Sequence, residues 1–300
     1  MISYNGNVIN YNTKWLIQRL PLQPKSLRLL YKPGTHPRGL PDGWKEGDAD
    51  NFHVIRLSQN PNIWDATYRY QGTNWSNVLA NDKNLVGILE GNTSDITKME
   101  NAFVGCTSLS YVATFDTSNV TNMSWMFGYC SSLVNAPMLD TSNVTNISGM
   151  FGQCTSLETV PVYNTSSVTN MSYMFDGCFK LESVPLLDTS SVTNMSHMFA
   201  GCIILQSVPL FNTSNVTDMS EMLHDCYELE SIPLFNTSSV TNVHSMCSNC
   251  VKVESGALAL YNQMSSQATP PSDHQWTFRD CGRDTVAGAA ELAQIPNDWK

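Results

Sequence analysis

The stretch Asp188-Thr-Ser-Ser-Val-Thr-Asn-Met-Ser-His-Met-Phe-Ala-Gly-Cys-Ile-Ile-Leu-Gln-Ser-Val-Pro-Leu-Phe211 is one copy of a 24-residue unit that recurs seven times between residues 92 and 255. Cys106, Cys130, Cys154, Cys178, Cys202, Cys226 and Cys250 stand 24 apart, and Thr-Ser recurs at 93, 117, 141, 165, 189, 213 and 237. A single unit of this length cannot bury its own apolar face and must stack on its neighbours, so the period predicts an α/β repeat solenoid.

Within the unit, Met195, Met198, Phe199 and Cys202 follow the i, i+3, i+4, i+7 spacing of an apolar helix stripe, which predicts a helix of about two turns. Thr193 and Asn194 are placed to cap its start, and Gly201 suits a left-handed stop. Leu205-x-x-Val208-x-Leu210 then has the L-x-x-L-x-L spacing of a leucine-rich repeat, whose last residues form a short parallel strand. Pro209 and its equivalents Pro137, Pro161, Pro185 and Pro233 cannot donate to a ladder, so a regular strand must begin or break there.

On these residues the unit resembles the BspA-like leucine-rich repeats, in the D-T-S-x-V-T-N-M-S-x-M-F-x-x-C-x-x-L version found in bacterial surface lipoproteins and adhesins. The resemblance covers residues 92–255 and implies a curved stack used for attachment, with no catalytic residue. A segment like Gly288 to Trp299 resembles the ends of repeat proteins from gut bacteria and their phages, which implies a virion setting.

Outside the repeats, residues 1–70 mix Tyr, Trp and Pro with runs such as Ser26–Tyr31 and Phe52–Leu57, separated by Pro33-Gly34, Pro37-Arg-Gly39 and Pro41-Asp-Gly-Trp44. That pattern predicts a small β-rich domain or attachment module. Residues 71–91 read as a degenerate capping repeat, with Trp75, Val78, Leu79, Leu85 and Ile88 one period before Met99, Ala102, Phe103, Leu109 and Val112, and Asp82 in the cysteine position. Residues 256–300 lose the period and read as a helical C-terminal cap, with helices over 257–264 and 287–293 joined by a loop at Thr269-Pro-Pro-Ser.

Charge is divided: residues 1–70 hold nine Lys or Arg against five Asp or Glu, and the rest hold seven against 21, giving the overall −10. Only Lys98, Lys180 and Lys252 are basic between 92 and 255, which argues against nucleic-acid binding, since phosphate must be neutralised by clustered cations. The start Met-Ile-Ser-Tyr-Asn-Gly lacks a secretory pattern, and no run reaches the 18 apolar residues of a membrane span. The expected location is therefore a virion assembled in the host cytoplasm, or otherwise the cytoplasm or export without a classical signal peptide.

The cysteine column reads as buried thiols rather than as a metal rail, because it lies on the apolar stripe. Cys247-Ser-Asn-Cys250 is a C-x-x-C, yet zinc would need two more ligands, for which His244 and Cys281 are the available side chains. The column Asn92, Asp116, Asp140, Asn164, Asp188, Asn212, Asn236 offers stacked oxygens to calcium, but Asx before Thr-Ser is first of all turn chemistry. No cofactor and no metal is expected.

The six histidines share no ligand spacing, no nucleophile–base set stands out, and a hydrolase would need a site hidden within residues 1–70. The chain reads as a non-enzyme. Variation between repeats points instead to recognition. Before the inward Met the column runs Asn101, Trp125, Gly149, Tyr173, His197, Glu221, Ser245, and after the cysteine it includes Phe179, Ile203, Ile204 and Tyr227. Trp125, Tyr129, Tyr173, His197, Phe179, Ile203, Ile204 and Tyr227 are the candidate binding residues, either as an outward recognition patch or as side chains packed sideways on neighbouring units. The expected partner is a host-cell surface glycan or protein, with residues 1–70 available for other virion proteins. The alternative is a purely structural or scaffolding role in a virion or cell.

Overall fold

The computed structural model describes strands at Ile2–Tyr4 (β1), Asn7–Ile9 (β2), Ser26–Tyr31 (β3), Phe52–Arg56 (β4) and Trp64–Arg69 (β5), and all of residues 73–300. The expected turns at Pro33-Gly34, Pro37-Arg-Gly39 and Pro41-Asp-Gly-Trp44 lie outside the described residues. β1 and β2 pair antiparallel. The other three join Leu85–Asn92 (β6) and Tyr111–Val112 (β7) in a sheet of order β4-β5-β3-β6-β7. β6 is its joint: one edge pairs antiparallel with β3, the other parallel with β7 in the next unit. Leu29 on β3 is buried in the same core as the repeats.

From Asn74 onward the chain steps forward in register with itself. Parallel bridges link Asn74, Lys98, Asn122, Asn146, Asn170, Asn194, Asp218 and Asn242, each one period from the next. The last bridge, from Asn242 to Asp273, is longer than one period.

The expected helix in each unit is not formed. Residues 195–202 are a succession of turns, in which backbone N–H groups alternate between two kinds of acceptor. Met195, His197, Phe199 and Gly201 donate to Asp218, Ser220, Met222 and His224 of the next unit at 2.7–2.9 Å. Met198, Ala200 and Cys202 donate to the carbonyl three residues back within their own unit. The alternation requires a left-handed residue twice per unit, at His197 (φ 55°) and Gly201 (φ 69°), and the equivalents in other units have the same sign. An α-helix over these residues would turn the donors of its second half, Phe199 and Gly201 among them, back onto its own carbonyls and give up their bonds to the next unit. The i, i+3, i+4, i+7 stripe is nevertheless inward, because turns closed three residues back return the chain to the same side at nearly the same interval; Met195, Met198, Phe199 and Cys202 are fully buried.

The expected strand also differs. Leu205 and Val208 are buried, but Leu210 points to solvent and Phe211 fills the core in its place. Between residues 92 and 255 the one strand beyond β6 is β7, consistent with prolines that cannot donate at the next position.

Side chains seal the steps. From Thr93 to Thr213 each Thr of the Thr-Ser pair donates to the Asx carbonyl of the next unit, as Thr165 Oγ1 to Asp188 O at 2.7 Å. The Asx oxygens accept from the backbone two residues on, as Asp188 Oδ1 from Ser190 N at 3.0 Å, which is the turn chemistry of the column. Each thiol of the 24-residue cysteine column donates to a carbonyl of the preceding unit, as Cys178 Sγ to Phe151 O at 3.2 Å. Phe103, Phe127, Phe151, Phe175 and Phe199 stack through the core with ring centroids 5.5–6.1 Å apart.

At the C-terminal end, Ala257–Ser265 (α1) and Val286–Gln294 (α2) are helices, but the period does not end at 255 as expected. Val243, Ser245, Cys247 and Asn249 donate to Asp273, Gln275, Thr277 and Arg279, the same pattern with seven residues inserted. The extra residues fall between Ser255 and Asp273, the stretch that holds α1 and its exit. Trp299 then covers the end, stacked on His274 at 4.3 Å and packed edge-on against Tyr261 at 5.4 Å.

Candidate recognition surface

The variable column singled out in the sequence is the first left-handed position of each unit: Asn101, Trp125, Gly149, Tyr173, His197, Glu221 and Ser245 have φ between 52° and 59°. A left-handed backbone rotates the Cα–Cβ bond away from the direction of its neighbours. The side chain therefore leaves the inward stripe and lies along the flank, half-buried for Trp125, Tyr173 and His197.

These side chains lie across one another. Trp125 stacks with Tyr129 at 5.9 Å and 15°, and reaches Tyr173 at 6.1 Å. Tyr173 in turn stacks on His197 at 4.3 Å and 10°. Trp125 can lie flat because the next unit has glycine in the same column: a Cβ on Gly149 would sit 2.2 Å from the indole. Gly128 and Gly152 clear the adjoining space in the same way. The result is a row of four rings on one flank, with Tyr129 the most exposed.

Beyond the rings the row becomes acidic. His197 Nδ1 lies 3.4 Å from Glu221 Oε2, and Gln153 Nε2 donates to Asp176 Oδ2 at 2.6 Å. Burial pushes the Asp176 carboxyl up, opposed by the Gln153 hydrogen bond and by His197. Burial and then Glu221 push the Tyr173 phenol up, so it stays a hydrogen-bond donor at neutral pH. The column ends in Trp276 (φ 57°), the position equivalent to Ser245 once the inserted seven residues are counted. Trp276 borders an open depression with His244, Asp273, His274, Asp298 and Lys300. There His244 Nδ1 lies 3.3 Å from Asp273 Oδ1 and His274 Nε2 lies 3.7 Å from Asp298 Oδ2. The insertion hid Trp276 from the period; its sequence signal is a Trp two residues before Phe278, where the column before a core Met–Phe pair would place it.

The second expected group is looser. Phe179 and Tyr227 are exposed, with Phe179 lying against Gly201, whereas Ile203 and Ile204 between them are half-buried. Burial raises every cysteine thiol in the column, and all nine cysteines are free and buried. Cys247 occupies the core position of the phenylalanines. Among the described residues no three His, Cys, Asp or Glu side chains are grouped to hold a metal ion, and no helix is long and apolar enough to cross a membrane.

This is a tandem-repeat protein with one continuous core. A family model described as "Mycoplasma protein of unknown function, DUF285" matches residues 73–183 and 158–259, well over half of the 300 residues, and the chain belongs to that family. The match fits the BspA-like and leucine-rich-repeat character of the unit. No curated protein and no solved structure matches the chain.

Proposed function

We propose that the units stack into a right-handed solenoid and that the chain is a non-enzymatic recognition or adhesion module. Its partner is a host-cell surface glycan or protein, and its setting a phage virion, on the tail or capsid surface. The observation that carries this reading is the row Tyr129, Trp125, Tyr173, His197, four rings presented on one flank and bordered by Glu221 and Asp176. Flat rings with adjacent carboxylates and a phenol donor suit a sugar face and its hydroxyls, and equally an aromatic protein hot spot. The side chains are held by their own backbone and by each other, so little rotamer freedom is lost on binding.

The test is attachment of the purified chain to whole cells, with Trp125→Ser and Tyr173→Ser beside the parent. Each substitution is expected to weaken attachment by tenfold or more, about 1.4 kcal/mol, while thermal unfolding stays cooperative. Attachment unchanged by both would remove the aromatic row from the function. It would favour the second reading, a structural or scaffolding protein, which an exposed apolar column on another face of the repeats also supports.

A further inference from the structure

The residue after each proline is a large apolar side chain in five consecutive units: Met138, Val162, Leu186, Leu210 and Leu234. All five point to solvent, between 53 and 67 % exposed, while the next residue in each unit is buried. They form a continuous exposed stripe, which on a surface facing water calls for a partner. With about 4.8 Å between parallel-bridged chains, four steps make the stripe roughly 19 Å long.

Exposed carboxylates flank it along the chain, before it and after it. Two residues after the stripe lie the exposed positions of Asp140 and Asp188, on the same side because burial alternates through this stretch. Four residues before it lie Glu158, Glu182 and Glu230, and Glu254 continues that column into the next unit; all four are exposed. The nearby cations are Lys180 and Lys252, and Lys252 is tied to Glu228 at 2.6 Å.

We propose that this stripe is a docking surface for a basic amphipathic helix of a partner protein. Charge selects the partner: a cationic rim on the incoming segment complements the carboxylates, whereas a second copy of this chain would set the same acidic border against itself. Pitch selects a helix over a strand. Apolar residues along one helix face recur on average every ~5.4 Å, close to the spacing of the stripe, whereas those on one face of a strand recur every ~6.7 Å and fall out of step within two units. About 13 helical residues span all five positions.

The test is a fluorescence-anisotropy titration of the full chain against a labelled 14-residue peptide with leucine at i, i+3, i+4, i+7 and i+11 and lysine elsewhere. A second peptide keeps the leucines and replaces lysine by glutamate. The lysine peptide is expected to bind saturably, and the glutamate peptide at least tenfold more weakly. Leu186→Ser/Leu210→Ser should weaken binding of the lysine peptide at least tenfold without lowering the melting temperature, since both side chains are exposed. Met138→Ser/Leu234→Ser serves as the second variant at the two ends. Glu182→Gln/Glu230→Gln should weaken binding and flatten its salt dependence. The proposal is overturned if the lysine peptide does not bind saturably, if both leucine and end variants bind it as the parent does, or if the glutamate peptide binds equally well. It is also overturned if the parent self-associates and the leucine variant does not, because the occupant is then a second copy.

Discussion

At the scale of single residues, the cysteine column shows how one side chain serves packing and hydrogen bonding together. Cys178 is fully buried and donates to Phe151 O, so Cys178→Ala removes both a core sulfur and a weak donor, with an expected cost of about 1 kcal/mol. That cost should depend on pH. Burial pushes the Cys178 thiol well above the ordinary range, reinforced by Cys202 and Cys154, and Cys106 and Cys154 are each pushed up to about 12. A thiol with a raised folded-state pKa contributes its full stability below the unfolded pKa, about 8.5, and loses it as pH rises toward the folded value, because the unfolded chain releases the proton first. Each such thiol removes up to about 1.4 kcal/mol per pH unit in that window. Chemical denaturation at pH 7.5 and pH 10 should therefore show the Cys178→Ala penalty shrinking or reversing sign. A penalty that is the same at both values would mean the thiol is not desolvated as described.

The element here is the unit, joined to the next by an alternating set of donors rather than by a helix against a helix. Every odd position from Met195 to Gly201 is bonded forward and every even one backward, so register is set by backbone as well as by packing. Deleting 164–187, one whole unit, should retain a cooperative transition, whereas deleting 164–183, four positions short of a unit, should abolish it. In the shorter deletion the left-handed positions, Thr-Ser pairs and cysteines no longer meet their equivalents, which circular dichroism melts of the two variants will reveal. Equal cooperativity in both would show that the steps do not depend on register. The natural insertion of seven residues between Asn242 and Asp273 marks where extra chain is accepted: after the cysteine turn, where α1 leaves the stack and the chain returns at the bridge position.

For the whole molecule, a stack of this kind has two apolar ends, and both are covered. At one end β3 pairs along β6 and Leu29 enters the core. At the other, Trp299 lies over Phe278 and His274, and its carbonyl accepts from Phe278 N at 2.9 Å. Trp299→Ala should cost about 3 kcal/mol, the usual penalty for a buried Trp, and should expose the last unit. Dye binding to apolar surface and light scattering should both rise. A variant that remains monomeric and as stable as the parent would deny the tryptophan its sealing role.

What the sequence determined by itself is the identity of the buried positions and the step between them. Met195, Met198, Phe199, Cys202 and Leu205 are inward as their spacing required, since periodic apolarity reports burial whatever the backbone does. The period of the repeat, the Asx turns and the helices at 257–265 and 286–294 were legible for the same reason: each rests on local chemistry or on simple recurrence. Backbone form was decided elsewhere. An i, i+3, i+4, i+7 stripe serves a helix and a run of successive turns equally well. The choice falls to the turns because their free N–H groups find carbonyls in the next unit, a partner absent from any single unit. The same holds for the surfaces. Leu210 and Phe211 are both apolar, and only the path of the neighbouring units sends one to solvent and the other inside. Trp125 and Tyr173 stand two periods apart in the chain, and Tyr173 and His197 one; the three become one row of rings because stacking places their left-handed positions side by side.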